Sequence, residues 1–150
     1  MLVKFLEDEK TATVNPPKTK HKISDFHIGD VWWCYFPWVD EKELKDLHPA
    51  VILDHGASGT QLLSLRTTHY KDEVSYNRKY ELPLFNWRML ALDKGSSFVL
   101  NSIQDDVEME LFTKDYIGQL TEFDWLRLRE ALPEGYKLDK KPGRRLKDEE

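Results

Sequence analysis

Apolar positions along this chain come in short runs of four to six residues, and only near residue 121 do they take up a helical spacing. The stretch from 28 to 54 organises the rest. It reads IGDVWWCYFP, then WVDEKELKDL, then HPAVILD. The apolar runs at 31–36 and 50–53 are too short for ordinary helices and rich in β-branched and aromatic residues, so both predict strands. Gly29-Asp30 punctuates the first. Pro49 opens the second, where a proline removes no needed ladder bond. Alternation puts Val31, Trp33 and Tyr35 on one face of the first strand and Trp32, Cys34 and Phe36 on the other. Both faces are apolar, so the strand should be covered on both sides, as in a small closed barrel packed against a helix or a second subunit. The connection from 37 to 48 carries Trp38 and the run DEKELKD, and a loop of that length is uncommon unless functional or disordered. Its bland reading is a solvated hairpin tip.

The remaining pattern extends this plan. Residues 54–59, DHGASG, predict a turn, and 61–66 a third strand that forms a meander with the second. A short alternation near 80–84 predicts a little strand. Residues 88–92 and 97–101 read as strands around the turn 93–96. VEMEL at 107–111 alternates like a half-exposed strand. Thr113 is expected to start a short helical turn that Gly118 ends. Thr121 and Asp124 have capping-box spacing for a final helix, with Phe123, Leu126, Leu128 and Ala131 or Leu132 as its apolar stripe and Pro133 after its end. There are no internal repeats. The expected fold is mainly β with a C-terminal helix, a small barrel of SH3-like type.

Composition adds bounds. The 150 residues make one domain, large enough for a sizeable core. Residues 1–24 predict an extended or mobile leader, 25–135 the barrel domain, and 136–150 a charged, solvated tail. Cys34 is the sole cysteine and lies inside an apolar run, so it reads as a small buried residue; no intrachain disulfide is possible, which fits a reducing cytoplasm. No apolar run approaches the roughly 20 residues of a membrane helix, and no secretory signal pattern opens the chain. The net charge of −5 divides into +2 for residues 1–24, −9 for 25–135 and +2 for 136–150. An acidic body opposes strong non-specific binding of nucleic acid, because phosphate neutralisation supplies most of that affinity. Any RNA site must be a local patch.

One region suits that role. Between 66 and 88, Arg66, Lys71, Arg78, Lys79 and Arg88 outnumber Asp72, Glu73 and Glu81 and are interleaved with Tyr70, Tyr76, Tyr80, Phe85 and Trp87. Basic groups hold phosphates while aromatic faces stack unpaired bases; aromatics that merely cover the sheet would give the same pattern. No CxxC, HExxH, Walker loop or GxSxG occurs. His48, His55 and His69 lack metal-ligand spacing, so neither a metal nor a cofactor is expected.

The GDVWW…FP stretch followed by HPAVILD resembles the opening of the MazF/PemK family of bacterial toxin ribonucleases. LLSLRTTHY and the closing FTKDYIGQLTEFDWLRLREAL follow in the same order as that family's later pieces. The resemblance covers roughly residues 26 to 133. It implies an SH3-like barrel with a C-terminal helix, a homodimer, and a metal-independent endoribonuclease that cuts single-stranded RNA and is held by a cognate antitoxin. It also implies that the loop bearing Trp38 contacts RNA and that the antitoxin competes there. The family's arginine before the proline and its Thr or Ser ending the third strand correspond here to His48 and to Thr67, with Thr68 as the alternate. The expected RNA contacts are Trp38, Arg66, His69, Lys71, Arg78 and Lys79.

His48 cannot copy an arginine: a guanidinium stays charged and grips phosphate with two parallel donors, whereas imidazole titrates near neutrality and can act as acid or base. Arg66 would supply the missing cation beside Thr67 only if the strand ends or bulges between them. The alternative is a non-catalytic relative that binds RNA or protein through the same face. A gyrase-directed toxin on the related barrel is a third reading, with only fold analogy behind it.

Overall fold

The computed structural model describes residues 16–37, 47–69, 80–133, 135–136 and 138–146. Among these residues seven strands and one α-helix follow in order: β1 (Asp30–Cys34), β2 (His48–His55), β3 (Gln61–His69), β4 (Glu81–Pro83), β5 (Ser96–Val99), β6 (Gln104–Glu108), β7 (Phe112–Gln119) and α1 (Glu122–Ala131). All strand pairings are antiparallel. The fold is therefore mainly β with one C-terminal helix. The sheet runs β4-β5-β3-β2-β1-β7, with β6 also on β3. No ladder joins β4 to β7 among the described residues, so the sheet is open where a closed barrel was expected.

The first two strands lie where the apolar runs put them, paired with Val31 opposite Val51 and Trp33 opposite Pro49. Val31, Trp32, Cys34 and Phe36 are buried, while Trp33 and Tyr35 are half-buried. The Gly29-Asp30 pair builds the entry to β1. Gly29 has φ +81°, a left-handed conformation open to glycine, and a Cβ there would meet Pro142 at 3.2 Å. Its N–H donates to the Ile52 carbonyl (2.8 Å), and its carbonyl accepts from the Leu120 N–H (2.9 Å). Asp30 accepts from the His27 N–H (2.8 Å), Trp32 Nε1 (3.4 Å) and Gln119 Nε2 (3.3 Å).

Strand β3 is nine residues long, beyond the expected six, because it serves two sheets. Gln61 to Ser64 pair with β6 and Thr67 to His69 pair with β5. A bulge at Leu53 shifts the β2–β3 register, which otherwise sets Ala50 against Arg66 and Val51 against Leu65.

Several expectations are corrected. Residues 88–92 form no strand: a 3-10 turn covers Trp87–Met89. The VEMEL strand lies three residues earlier, with Met109–Leu111 in a 3-10 turn. The expected helical turn from Thr113 is strand β7, in which only Phe112 and Ile117 are buried. Gly118, read as a helix end, has φ +149° and lets Leu90 approach to 2.9 Å of where a Cβ would stand.

Thr121 does cap α1, its hydroxyl accepting from the Asp124 N–H (3.2 Å). The buried stripe, however, is Trp125, Leu128 and Leu132, while Phe123 and Leu126 face outward. Residues 138–146, expected to be solvated, pack on the body. Leu138 and Leu146 are buried, and the Ile28 N–H and carbonyl bond to Arg144 and Gly143. Residues 16–24 also lie against the body. His21 bonds to the Phe112 and Thr113 carbonyls through Nε2 (2.8 and 3.1 Å) and to Asp25 through Nδ1 (3.0 Å). The rest of the leader lies outside the described residues.

Candidate functional site

His48 is about twenty residues from Thr67 and Thr68 in sequence, yet all three line one cleft of about 330 Å3, with Trp33, Leu47, Pro49 and Ser96. The cleft sits where β2 begins and β3 ends, so the β2–β3 pairing assembles it. The register that opposes Ala50 to Arg66 puts His48, Arg66 and Thr68 on one face of the sheet. It puts Trp33, Pro49 and Thr67 on the other.

The two threonines differ in consequence. Thr67 is buried, and its hydroxyl donates to the Pro49 carbonyl (3.2 Å). Thr68 is half-buried and keeps access to the cleft. No bulge or strand end separates Arg66 from Thr67, since β3 continues to His69. Arg66 therefore joins His48 and Thr68 instead. Its Nη1 lies 3.5 Å from His48 Nε2, a long contact in which the guanidinium donates and a neutral imidazole accepts. Arg66 is itself buried, and its backbone N–H donates to Ser102 Oγ (3.0 Å), which in turn donates to the Val99 carbonyl (2.7 Å). The turn thus anchors the Arg66 backbone, and the guanidinium lies beside the His48 ring.

Ser96 and Ser97 had no signal in the sequence, because they fell at the edge of an expected turn. Ser96 lines the cleft. Ser97 pairs with Thr68, and its buried hydroxyl has no hydrogen-bond partner among the described residues. Trp33 entered the reading as a core residue, and here it is half-buried and forms the cleft wall. Of the other expected RNA contacts, Trp38, Lys71, Arg78 and Lys79 lie outside the described residues, and His69 is placed as the last residue of β3.

A second cleft, of about 500 Å3, opens over Asp30, His27, Trp32 and Tyr116. Burial pushes the Asp30 carboxyl above its ordinary value, and hydrogen bonds from His27, Gln119 and Trp32 oppose that shift. Both its oxygens hold the turn into β1 and the end of β7, which is a structural task. Burial likewise pushes the Cys34 thiol well up, leaving it a poor nucleophile. Among the described residues no group of three or more His, Cys, Asp or Glu could hold a metal ion, and no helix is long and apolar enough to cross a membrane.

No protein-family model matches the chain, and no curated protein matches it.

Proposed function

We propose that this protein is a MazF/PemK-like endoribonuclease toxin that cuts single-stranded RNA without a metal. The observation that carries this reading is the meeting of His48 and Thr68 at one cleft, with Arg66 Nη1 3.5 Å from His48 Nε2, joined to the GDVWW and HPAVILD strands that carry the family resemblance. RNA brings its own nucleophile, the 2′-hydroxyl. The protein must take that proton, protonate the leaving 5′-oxygen, and stabilise a charged phosphorane. Arg66 supplies the cation that the family's arginine would supply from position 48. His48 moves protons, and Thr68 donates to a phosphate oxygen. The products are a cyclic phosphate and a 5′-hydroxyl. Thr67 supports the site by tying β3 to Pro49.

The remaining parts of the proposal follow from the family. The strand order, with β3 shared by two sheets, is read as an SH3-like barrel. A homodimer would cover the half-buried side of β1, the cognate antitoxin would compete for the site, and the protein would work in the cytoplasm. His48 in place of arginine favours one competing reading, a non-catalytic module that binds RNA or protein at the same cleft.

The test is cleavage of a long single-stranded RNA in EDTA from pH 5 to 9. Wild type should cleave, with a limb near the ordinary histidine pKa of about 6.5. His48→Ala should remove that limb. Thr68→Ala should lower the rate by about 10²-fold with binding retained, a loss of the size seen for a donor to developing charge. Folded wild type that never cleaves, but binds RNA, would leave the non-catalytic module. Cleavage untouched by His48→Ala at every pH would remove His48 from the chemistry.

A further inference from the structure

Phe85 and Phe123 stand side by side on the surface, 71% and 51% exposed, with ring centroids 5.4 Å apart in an edge-on arrangement. Arg127 lies across both rings, 6.0 and 5.9 Å from their centroids. It is fixed there: Nη1 donates to the Pro83 carbonyl (2.7 Å) and to Asp124 Oδ1 (3.2 Å). In the next turn Arg88 sits over Trp87 at 4.8 Å. The loop is not free to turn these rings inward, because the buried Asp124 carboxylate accepts from the Phe85 and Asn86 N–H groups at 2.8 Å each. The strand that leads into Phe85 is joined to the cleft wall by one backbone bond. The Leu84 N–H donates to the carbonyl of Ser96 (2.8 Å), and Ser96 is part of the cleft wall.

We infer that Phe85 and Phe123 form a stacking site for an unpaired nucleobase of the strand lying in the cleft, with Arg127 and Arg88 facing its phosphates. The inference rests on the ribonuclease reading and extends it to a flanking nucleotide. An exposed aromatic face with a fixed guanidinium beside it stacks any base and meets the backbone charge at once. Arg88 adds a cation to an otherwise acidic body, while the charge of Arg127 is partly offset by the Asp124 carboxylate it bonds. Phe123 and Arg127 join Phe85 and Arg88 only through the fold, being more than 30 residues away in sequence.

The experiment measures binding of a short unstructured single-stranded RNA carrying 2′-O-methyl groups, which block attack without removing the bases. Phe85→Ala and Phe123→Ala should each weaken binding roughly tenfold, as loss of one stacked base does. Phe85→Trp should keep wild-type affinity. Abasic residues placed one by one along the strand should reveal a single position where wild type loses the same factor and Phe85→Ala loses nothing more. All variants should melt as wild type does, since both rings are exposed.

Unchanged affinity in Phe85→Ala, with binding still weakened by His48→Ala, overturns the stacking site and leaves the cleft reading standing. Folded wild type that binds no RNA overturns both. Conversion from dimer to monomer by Phe85→Ala in light scattering makes the patch a subunit contact and also overturns the stacking site.

Discussion

Asp30 illustrates how a motif residue can belong to the fold. Its side chain is 3% exposed and accepts three hydrogen bonds that join the leader turn, β1 and β7. Desolvation dominates, so the carboxyl is held above the ordinary value of 3.8. The folded state then binds more protons than the unfolded state just above that value, so this group's contribution to stability falls as pH rises through its titration. Asp25 works the other way: the Lys22 N–H, then His21, hold its carboxyl below 3.8, and its contribution is lost as pH falls. Asp30→Asn keeps an acceptor for the His27 N–H and removes the desolvated charge. Denaturant midpoints from pH 3 to 7 should therefore rise more with pH in Asp30→Asn than in wild type. Parallel profiles would show that Asp30 carries no such penalty. At this same scale, candidate residues His48, Thr67 and Thr68 could be named from the chain. Which threonine keeps an accessible side chain could not, because that depends on the Pro49 carbonyl across the ladder.

Helix α1 shows what local pattern can and cannot specify. Thr121 was legible as its cap because Ser and Thr hydroxyls reach a free N–H three residues on. The buried face was legible only in part: Leu128 and Leu132 are buried as expected, whereas Phe123 and Leu126 face outward. Phe123 and Leu126 are as apolar as Leu128, and only the position of the sheet turns Trp125, Leu128 and Leu132 inward. Asp124 then takes on a second task, holding the Phe85–Asn86 loop. Thr121→Ala should cost about 1 kcal/mol in urea unfolding, the usual loss of a cap. Asp124→Ala keeps the N–H that Thr121 caps but should cost about 3 kcal/mol, because it strands two backbone donors. No cost in Asp124→Ala would mean that the loop bonds contribute nothing. Strand β7 was misread for a related reason. Its middle is the exposed run Lys114-Asp115-Tyr116, and its strand character comes from pairing with the distant β1, Cys34 against Phe112 and Asp30 against Gln119.

At the scale of the molecule, the segment after α1 closes the core. Leu138 and Leu146 are buried, Trp125 Nε1 donates to the Lys140 carbonyl (3.1 Å), and Lys140 Nζ reaches Asp54 (3.3 Å) and the Leu146 carbonyl (2.7 Å). Leu146→Ala should lower stability by about 2–4 kcal/mol, as for other buried leucines. That is a large share of the about 5–15 kcal/mol of a typical domain. A melting temperature equal to wild type would place this segment in solvent.

The chain alone determined that strands begin near 31 and cover 50–53, the mainly β class, the late helix with its cap, and the residue types available for proton transfer. Each of these rests on interactions within a few residues: side-chain alternation, turn chemistry and capping. The tertiary structure decided the rest. It brought Arg66 to His48 across the β2–β3 register, left β4 and β7 unjoined among the described residues, made β7 a strand, and folded residues 138–146 over Gly29 and Ile28. Those outcomes depend on which distant surfaces meet, and charged composition such as KKPGRR is compatible with either a solvated or a packed course, because two leucines are enough to anchor it.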